Sequence, residues 1–592
     1  MNQLEFKYSM PETDWKPEAP PDLTGIEDIE LDTETTGLKW YQGDLPVGIS
    51  IRIPDGRCQY IPWGHASGNL DEATVKRWAA RELRGKHITF MNAKFDIHML
   101  REWGIDLEEQ GNTVSDVSHY AALLDDSRKR FNLEQLGQDF LGMGKLDLDM
   151  SHGAHGYTAE EISNYACQDV NLLGELKKVM IPQLIEQDLM EVVALENSII
   201  FPVCEMEKNG APLDTEKLDR WCVESEERVQ ELFWEVHKET GHRVDVGKRE
   251  DLMRLFYHLQ IYNPHETKTG LMSFDDNVLS SYDHPVIVKI RKAKKLLSLR
   301  AKFLKTYRKV VNPDGILRYG LHQLRTSDGG TVTGRFSSSG GSDGVNIQQV
   351  SSVEKQIAAY GDEFIVRELF VPRDPTHFWI SADASQIEFR LLAHFSKSKT
   401  VLEAYAQNPE TDFHGIVRDM IKPLKPEITR KRAKDVNFAR IYSAGKDKIS
   451  TMLKLPEQET QALLKIYDRA FPEAKTLLYR ASDLAREQGY VTTLLGRRAR
   501  FPEREFLHAA LNREIQGGAA DIAKKKIAEL HAERKRTGFI MRFVVHDEFD
   551  GDVPDNASAL MVSEILNRQS YQLRVPILWE VGIGKNWRLA NE

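Results

Sequence analysis

Two stretches far apart in the chain follow one pattern, a β-prone apolar run that ends on carboxylates. Phe378-Trp379-Ile380 leads into Asp383-Ala384-Ser385-Gln386-Ile387-Glu388, and Phe539 to Val545 leads into His546-Asp547-Glu548. Two strand-end aspartates from distant parts of one chain are what a two-metal phosphoryl-transfer site needs. Mg²⁺ is a hard cation that takes oxygen ligands, and a pair of such ions can stabilise both attacking and leaving oxygens. Strand ends are also often acidic because they face water, and for either stretch alone that is the simpler reading. The sequence around them decides the matter.

The chain has 592 residues, enough for several domains, about four on the usual length prior. Its 41% hydrophobic and 29% charged content describes a globular protein with ample core. With a net charge of −11, any binding to nucleic acid has to use local basic patches. Cys58, Cys167, Cys204 and Cys222 are far apart and form no Cys-x-x-Cys, so neither a disulfide framework nor a zinc site is signalled. That usage suits a reducing, intracellular setting. The N-terminus lacks the basic flank and apolar core of a secretory signal, and no apolar run is long enough to span a membrane.

Residues to about Leu23 are polar and carry Pro11, Pro17, Pro20 and Pro21, which reads as an irregular tail. Ile26 to Leu31 reads as a strand, Val47 to Ile53 with Cys58 to Ile61 as a hairpin, and His87 to Met91 as a strand followed by a helix from about Lys94. This α/β character continues to about Asp188. A helix is expected from Glu191 to Lys208, then mostly helical sequence to Tyr307. Strand-like, Gly/Ser-rich sequence fills Leu317 to Gly344, helices run from Thr400 to Gln488, and a last hairpin surrounds Asp547.

In the first third, Asp32 and Glu34 occupy alternate positions after a strand and so share a face. Asn92-Ala93-Lys94-Phe95-Asp96 puts another acid where a strand gives way to a helix. Tyr165 and Asp169 stand four apart on a predicted helix, which aligns phenol and carboxylate. Each acid by itself could cap a helix or face solvent. Together, Asp-x-Glu, Asn-x-x-x-Asp and Tyr-x-x-x-Asp, in that order, resemble the three motifs of DEDD-type 3′–5′ exonucleases of the tyrosine subtype. The resemblance implies a ribonuclease-H-like fold, metal ligation by Asp32, Glu34, Asp96 and Asp169, and orientation of the attacking water by Tyr165. It also implies an active site.

Further on, Arg430, Lys434, Phe438 and Tyr442 recur every fourth residue. On a helix they form one stripe about 18 Å long, suited to a nucleoside triphosphate laid along it. An amphipathic helix with snorkelling basic residues would show the same spacing. The stripe resembles the nucleotide-binding fingers helix of family A (DNA polymerase I-type) DNA polymerases. Asp383 to Arg390 is similar to that family's first catalytic palm motif and Val545 to Glu548 to its second. Thr333-Gly334-Arg335-Phe336-Ser337-Ser338 is similar to its primer–template contact motif. Gly489 through Arg498 and Asn512 through Asp521 fit as well, so the resemblance runs from about Glu191 onward.

The resemblance implies a multidomain α/β and α+β chain. After the tail come an exonuclease domain at about 24–188 and a right-hand polymerase domain at about 189–592. In the latter the thumb is expected at about 213–315, the fingers at about 400–488, and the palm at about 189–212, 316–399 and 489–592. It implies two Mg²⁺ ions per active site (Mn²⁺ being an alternative), ligated in the palm by Asp383 and Asp547 with Glu548 in support. One ion would act on the primer 3′-hydroxyl and the other on the leaving pyrophosphate. Arg430, Lys434 and His414 would bind the triphosphate, Glu388 would exclude ribonucleotides, Phe438 would disfavour dideoxynucleotides, and Tyr442 would pack near the templating base. Arg335, Asn346, Gln348, Asn512, Gln516 and His546 would touch the primer–template, where minor-groove acceptors permit sequence-independent checking.

The chain departs from the family at Ala384, Ala439, Ser443 and His508, and its loop Ser339 to Gly344 is longer than the usual compact version. Val286 to Val311 contains no acid and is dense in Lys and Arg. In an acidic chain this basic helix fits duplex-backbone binding through Lys294, Lys295 and Lys302, the resemblance placing it in the thumb. The expected partners are primer–template DNA and dNTPs, with a processivity factor, helicase or single-strand-binding protein possible. The chain is expected to be a monomer in the cytoplasm of an infected bacterial cell, working in phage replication without preceding 5′-nuclease sequence. The alternatives are a single-subunit RNA polymerase-like enzyme, against which Glu388 and the exonuclease motifs stand, a catalytically inactive DNA-binding protein, and a nuclease whose second half only holds DNA.

Overall fold

The computed structural model describes residues 19–149, 153–267, 269–327, 329–339, 345–441, 445–453 and 455–592. Tyr442, Ser443 and residues 340–344 lie outside the described residues, as does most of the expected tail. The end of that tail is not irregular surface: Leu23 is fully buried, and the Trp78 indole donates to the Pro21 carbonyl at 2.6 Å.

The first sheet is built around β1 (Asp28–Thr35), where Ile29 and Leu31 are buried on the core side. β1 continues through Asp32 and Glu34, further than the apolar run alone suggests. β2 (Pro46–Arg52) and β3 (Cys58–Pro62) form the expected antiparallel hairpin, while β4 (His87–Phe90) and β5 (Thr113–Asp116) run parallel to β1. The order 3-2-1-4-5 puts β1 at the centre, a ribonuclease-H-like arrangement. Helices α1 (Ala93–Glu102), α2 (Leu133–Leu141) and α3 (Ala159–Glu186) accompany it. α3 starts where Thr158 and Glu161 form a reciprocal capping box, which satisfies two backbone N–H groups the first turn leaves open.

The helix expected from Glu191 to Lys208 is two helices, α4 (Met190–Ser198) and α5 (Ile200–Asn209). Ile199, at φ −106° and ψ 3°, leaves helical geometry between them, three residues before Pro202. α6 (Thr215–Thr240) packs on α7 (Pro285–Leu299), which continues through a π-helical segment, Arg300–Leu304. Such bulges widen one helical turn locally.

The short strands β6 (Gly320–His322) and β7 (Ser337–Ser339) pair ahead of the second main sheet. That sheet contains β8 (Phe378–Ala384), β9 (Ile540–Val545), β10 (Glu548–Val553) and β11 (Trp579–Gly584), in the all-antiparallel order 9-10-8-11. The helices of this part include α8 (Ile387–Ser396), α9 (Phe413–Ile421), α10 (Arg430–Ile441), which packs on α9, α11 (Ala510–Ala532), and the last turn α12 (Trp587–Ala590), which packs on β8 and β11. Phe370, Trp379, Phe543 and Trp587 are wholly buried against one another beneath the sheet. Truncating any one to alanine would cost about 3–5 kcal/mol, so the sheet is a rigid platform.

Buried charge ties the second part together and joins it to the first. Glu196 on α4 is wholly buried and accepts from Arg497 at 2.5 Å, from Lys524 of α11 at 2.6 Å and from Gln323 at 2.9 Å. Glu207 on α5 accepts from Lys94 and His98 of α1, at 2.5 and 3.0 Å, and from the Leu321 N–H at 2.7 Å. All four cysteines are free thiols, and among the described residues no helix is long and apolar enough to cross a membrane.

Candidate active sites

The register of the second sheet places Asp383 directly across from Glu548 on one side and Glu580 on the other. Asp547 arrives from the two-residue turn between β9 and β10. His546, the first residue of that turn, takes φ +60°, a left-handed conformation that non-glycine residues seldom adopt. Gln348 holds it there: its Oε1 accepts the His546 N–H at 3.0 Å, and its amide donates to the Val544 carbonyl. The Ala384 N–H donates to the Asp547 carbonyl at 3.3 Å, so the two aspartates are joined through backbone.

Past Asp383 the chain turns sharply through Gln386, at φ +52°, into α8. The turn is fastened by Arg390, whose buried guanidinium donates to the carbonyls of Ser385, Pro409 and Pro576, each at 2.8 Å. Asp383 is exposed to solvent on one side and crowded by protein on the others. That enclosure raises its pKa well above the carboxylate range, and Asp547 and Glu548 raise it further. Burial likewise raises Asp547, against the pull of Arg335.

Glu548 is different. Its burial would raise its pKa, but a two-point fork from Arg367, at 2.7 and 3.0 Å, holds it below the ordinary value. Ser381 at 2.6 Å, Trp587 at 2.8 Å and Asn591 at 3.1 Å also donate to its Oε1. An acid so committed anchors the sheet and offers little to a ligand. The four side chains that hold it were not legible in sequence.

On α10, Arg430, Lys434 and Phe438 rise along one face, with the Lys434 ammonium 5.7 Å from the Phe438 ring. Arg430 forms a two-point pair with Asp412, at 2.6 and 2.9 Å. His414 of α9 lies beside this face, its ring centre 5.7 Å from that of Phe438. It is buried to 1% exposure, and burial beside Lys434 and Arg430 lowers its pKa to about 4, so it is a neutral ring. Its Nδ1 lies 2.8 Å from the Asn437 amide, which makes it a support for α10.

Arg335 reaches Glu388 at 2.5 Å, joining the expected minor-groove arginine to the expected sugar gate. Asn346 accepts the Gln348 N–H at 3.0 Å, so both residues serve the His546 turn in this conformation. Asn512 and Gln516, half-buried, lie one helical turn apart on α11.

The basic helix needs correction. Acids from neighbouring elements meet it, although none occurs within it. Lys289 pairs with Glu235 and Glu239, Arg291 and Lys295 with Asp276, and Arg300 with Glu226. Lys294 is half-buried and donates to the Phe274 carbonyl at 2.6 Å. Of the three lysines singled out, Lys302 alone is exposed. A run free of acids in sequence is not free of them in space.

In the first sheet, oxygens of Asp32, Glu34 and Asp169 lie within 4.8 Å of one another. Asp96 stands beside them, its Oδ1 accepting the Thr33 N–H at 3.0 Å and hydroxyl at 2.7 Å. The conformation of Asn92, at φ +64°, starts α1 and explains the asparagine: its short polar side chain tolerates the left-handed region. Burial raises Asp32 to about 6 and Asp169 to about 7, and it raises Glu34 and Asp96 further, with neighbouring carboxylates adding. Asp169 Oδ1 is buried with no hydrogen-bond partner among the described residues. An all-oxygen cage with an orphaned acceptor suits a hard divalent cation.

Sequence reasoning missed Lys145, which reaches Asp169 at 2.6 Å from the loop after α2. Nothing in its local sequence marks it.

The first third of the chain, residues 18–185, matches the 3′–5′ exonuclease family, and residues 215–589 match DNA polymerase family A. The chain belongs to DNA polymerase family A. It is a DNA-directed DNA polymerase with a 3′–5′ exonuclease domain preceding the polymerase domain. The DNA polymerase DpoZ of Salmonella phage PMBT28 is 28% identical, covering 96% of this chain and 98% of that protein. The DpoZ of Acinetobacter phage SH-Ab 15497 is 27% identical with the same coverage. The thermostable DNA polymerase I of Thermus aquaticus is 29% identical over 71% of this chain and 50% of its own length. A solved structure, the POL domain of Pol1 from M. smegmatis in complex with DNA primer-template and dNTP, shares the fold. It has a TM-score of 0.79 at 24% identity over 96% of this polymerase and 97% of that chain. Proteins of these two families are dependent on divalent metal.

Proposed function

We propose that this polymerase extends a primer 3′ end in phage DNA replication at Asp383 and Asp547, and edits that end at Asp32, Glu34, Asp96 and Asp169. The observation that carries the reading is the meeting of Asp383 and Asp547 at one end of a rigid sheet, beneath the basic face of α10. Domain limits of 24–188 and 189–592, with thumb, palm and fingers as expected from sequence, accord with it.

The two palm aspartates would hold Mg²⁺, or Mn²⁺, and so would the exonuclease cage. Bound there, the ions supply Lewis-acid stabilisation of the attacking and leaving oxygens. The chain's own groups do the rest. Arg430 presents a planar fork and Lys434 a compact charge to the triphosphate. Phe438 supplies an apolar face beyond them, and Glu388, fixed by Arg335, narrows the space beside the sugar. Asn512 and Gln516 offer amides to the minor groove of any sequence. In the exonuclease site Tyr165 stands one turn from Asp169, where its phenol can orient water. Its burial pushes the phenol to about 12, so it stays protonated and donates.

The substrates are primer–template DNA and dNTPs; the protein works as a monomer in the cytoplasm of an infected bacterium. A processivity factor, helicase or single-strand-binding protein would assist it. The test is primer extension with all four dNTPs and Mg²⁺ on matched and mismatched 3′ ends. Asp383→Ala should abolish extension and spare 3′-end degradation, and Asp32→Ala with Glu34→Ala should do the reverse. Extension surviving the first change, or degradation surviving the second, refutes the assignment of that site.

A further inference from the structure

Among the described residues the exonuclease cage carries four carboxylates and one cation. Lys145 lies 2.6 Å from Asp169 and 4.7 Å from the centre of the Tyr165 ring. Its ammonium thus meets a carboxylate of the cage and the face of the phenol together.

The loop that delivers Lys145 is built to do so. Gly142 takes φ +69° to leave α2, and the Lys145 N–H donates to Glu134 Oε2 at 2.5 Å. A Cβ on Gly144 would lie 2.3 Å from that same carboxylate, and one on Gly137 would lie 2.3 Å from the Met143 carbonyl. Gly137 is therefore required by close approach to backbone, while Gly144 leaves room for the Glu134 carboxylate that holds the loop. Gln168, next to Asp169, donates to the Gly144 carbonyl at 3.3 Å. A lysine on a free surface loop needs none of these contacts.

Charge counting says what such a lysine is for. Four ionised carboxylates and two divalent ions cancel, and a substrate phosphodiester then adds one negative charge. One further cation is needed to balance it, and more charge develops on the phosphate as the bond breaks. We propose that Lys145 is the built-in cation of the exonuclease site, holding the carboxylate cage until divalent ions occupy it and thereafter balancing the charge of the scissile phosphate. This rests on the exonuclease reading given above.

The two halves of that role have opposite signatures. Lys145 competes with metal for Asp169, so Lys145→Met should bind Mn²⁺ about tenfold more tightly, a unit charge having left the vicinity of a dication. The same variant should degrade a single-stranded oligonucleotide about 10²-fold more slowly in Mg²⁺, the loss typical of removing one group that meets developing charge. Mn²⁺ binding is measured calorimetrically with Asp383→Ala, Asp547→Ala and His531→Asn also present, so that neither the palm site nor the Glu108–Glu205–His531 cluster contributes. Lys145→Arg should restore much of the rate. A lysine that merely held the loop would give weaker metal binding together with slower degradation. That result overturns the proposal, as does unchanged metal affinity or unchanged degradation. The control that separates this idea from the exonuclease reading is Asp32→Ala with Glu34→Ala. If it abolishes degradation while Lys145→Met behaves as wild type, only the role of Lys145 falls. If degradation survives the control, the site itself is misassigned.

Discussion

Arg430 cannot grip a triphosphate while Asp412 holds it. The pair is a two-point fork with distances of 2.6 and 2.9 Å. The side chains are 50% and 40% exposed, so water screens their attraction. An exposed pair of good geometry is worth about 0.5–1 kcal/mol. Asp412→Asn removes the charge but keeps the Oδ1 that accepts the His414 N–H at 3.1 Å, and asparagine caps a helix as well as aspartate does. The variant therefore spares α9 and frees Arg430. The energy no longer spent on opening the pair should lower the KM for dNTP about two- to fivefold. The assay is single-nucleotide incorporation on a primed template, with Arg430→Ala as the reference for loss of the triphosphate contact. The kcat of Asp412→Asn should stay near wild type. An unchanged KM would mean that the pair does not compete with nucleotide; a raised KM would mean that Asp412 orients Arg430 for it. Either result refutes the reasoning.

Glu196→Gln leaves Arg497 and Lys524 buried beside a neutral amide, and denaturant unfolding should report a loss of about 3–5 kcal/mol. His531 sits between Glu108 at 2.7 Å and Glu205 at 3.0 Å across the boundary of the two domains; its burial opposes the charge, but the two carboxylates raise its pKa above the ordinary value. Its contribution should be complete below about pH 6.5 and be lost as pH rises through the raised value, so between pH 6 and 9 the wild type should lose more melting temperature than His531→Asn. Neutralising exposed Lys302 should flatten the salt dependence of DNA binding, whereas Lys294→Met should lower thermal stability and leave that slope alone; equal slopes for the two would count against the pairing described here.

What was legible in sequence was whatever chain geometry alone repeats. Asp32 with Glu34, Tyr165 with Asp169, and the stripe on α10 are spacings of two and four, and strand and helix impose those periods wherever they form. Closure was not legible. Lys145 enters the cage because a glycine turn folds back on α2, and Arg367 meets Glu548 from 181 residues away. The protonation of His414 was not legible either: burial beside Lys434 and Arg430 is what lowers its pKa to about 4. The counter-charges of the basic helix, which come from α6 and from Asp276, were not legible for a similar reason. The break at Ile199 has no periodic signature at all.

The hold on Glu548 has a consequence in time. Two of its four donors, Trp587 and Asn591, follow every other active-site residue in the chain, while the exonuclease cage is complete in sequence by Asp169 and its helix α1 is fastened once Glu207 has been made. Domains fold in order as a chain leaves the ribosome. A nascent molecule of this enzyme therefore completes the carboxylate cage of its first sheet some four hundred residues before the donors Trp587 and Asn591 can close on Glu548.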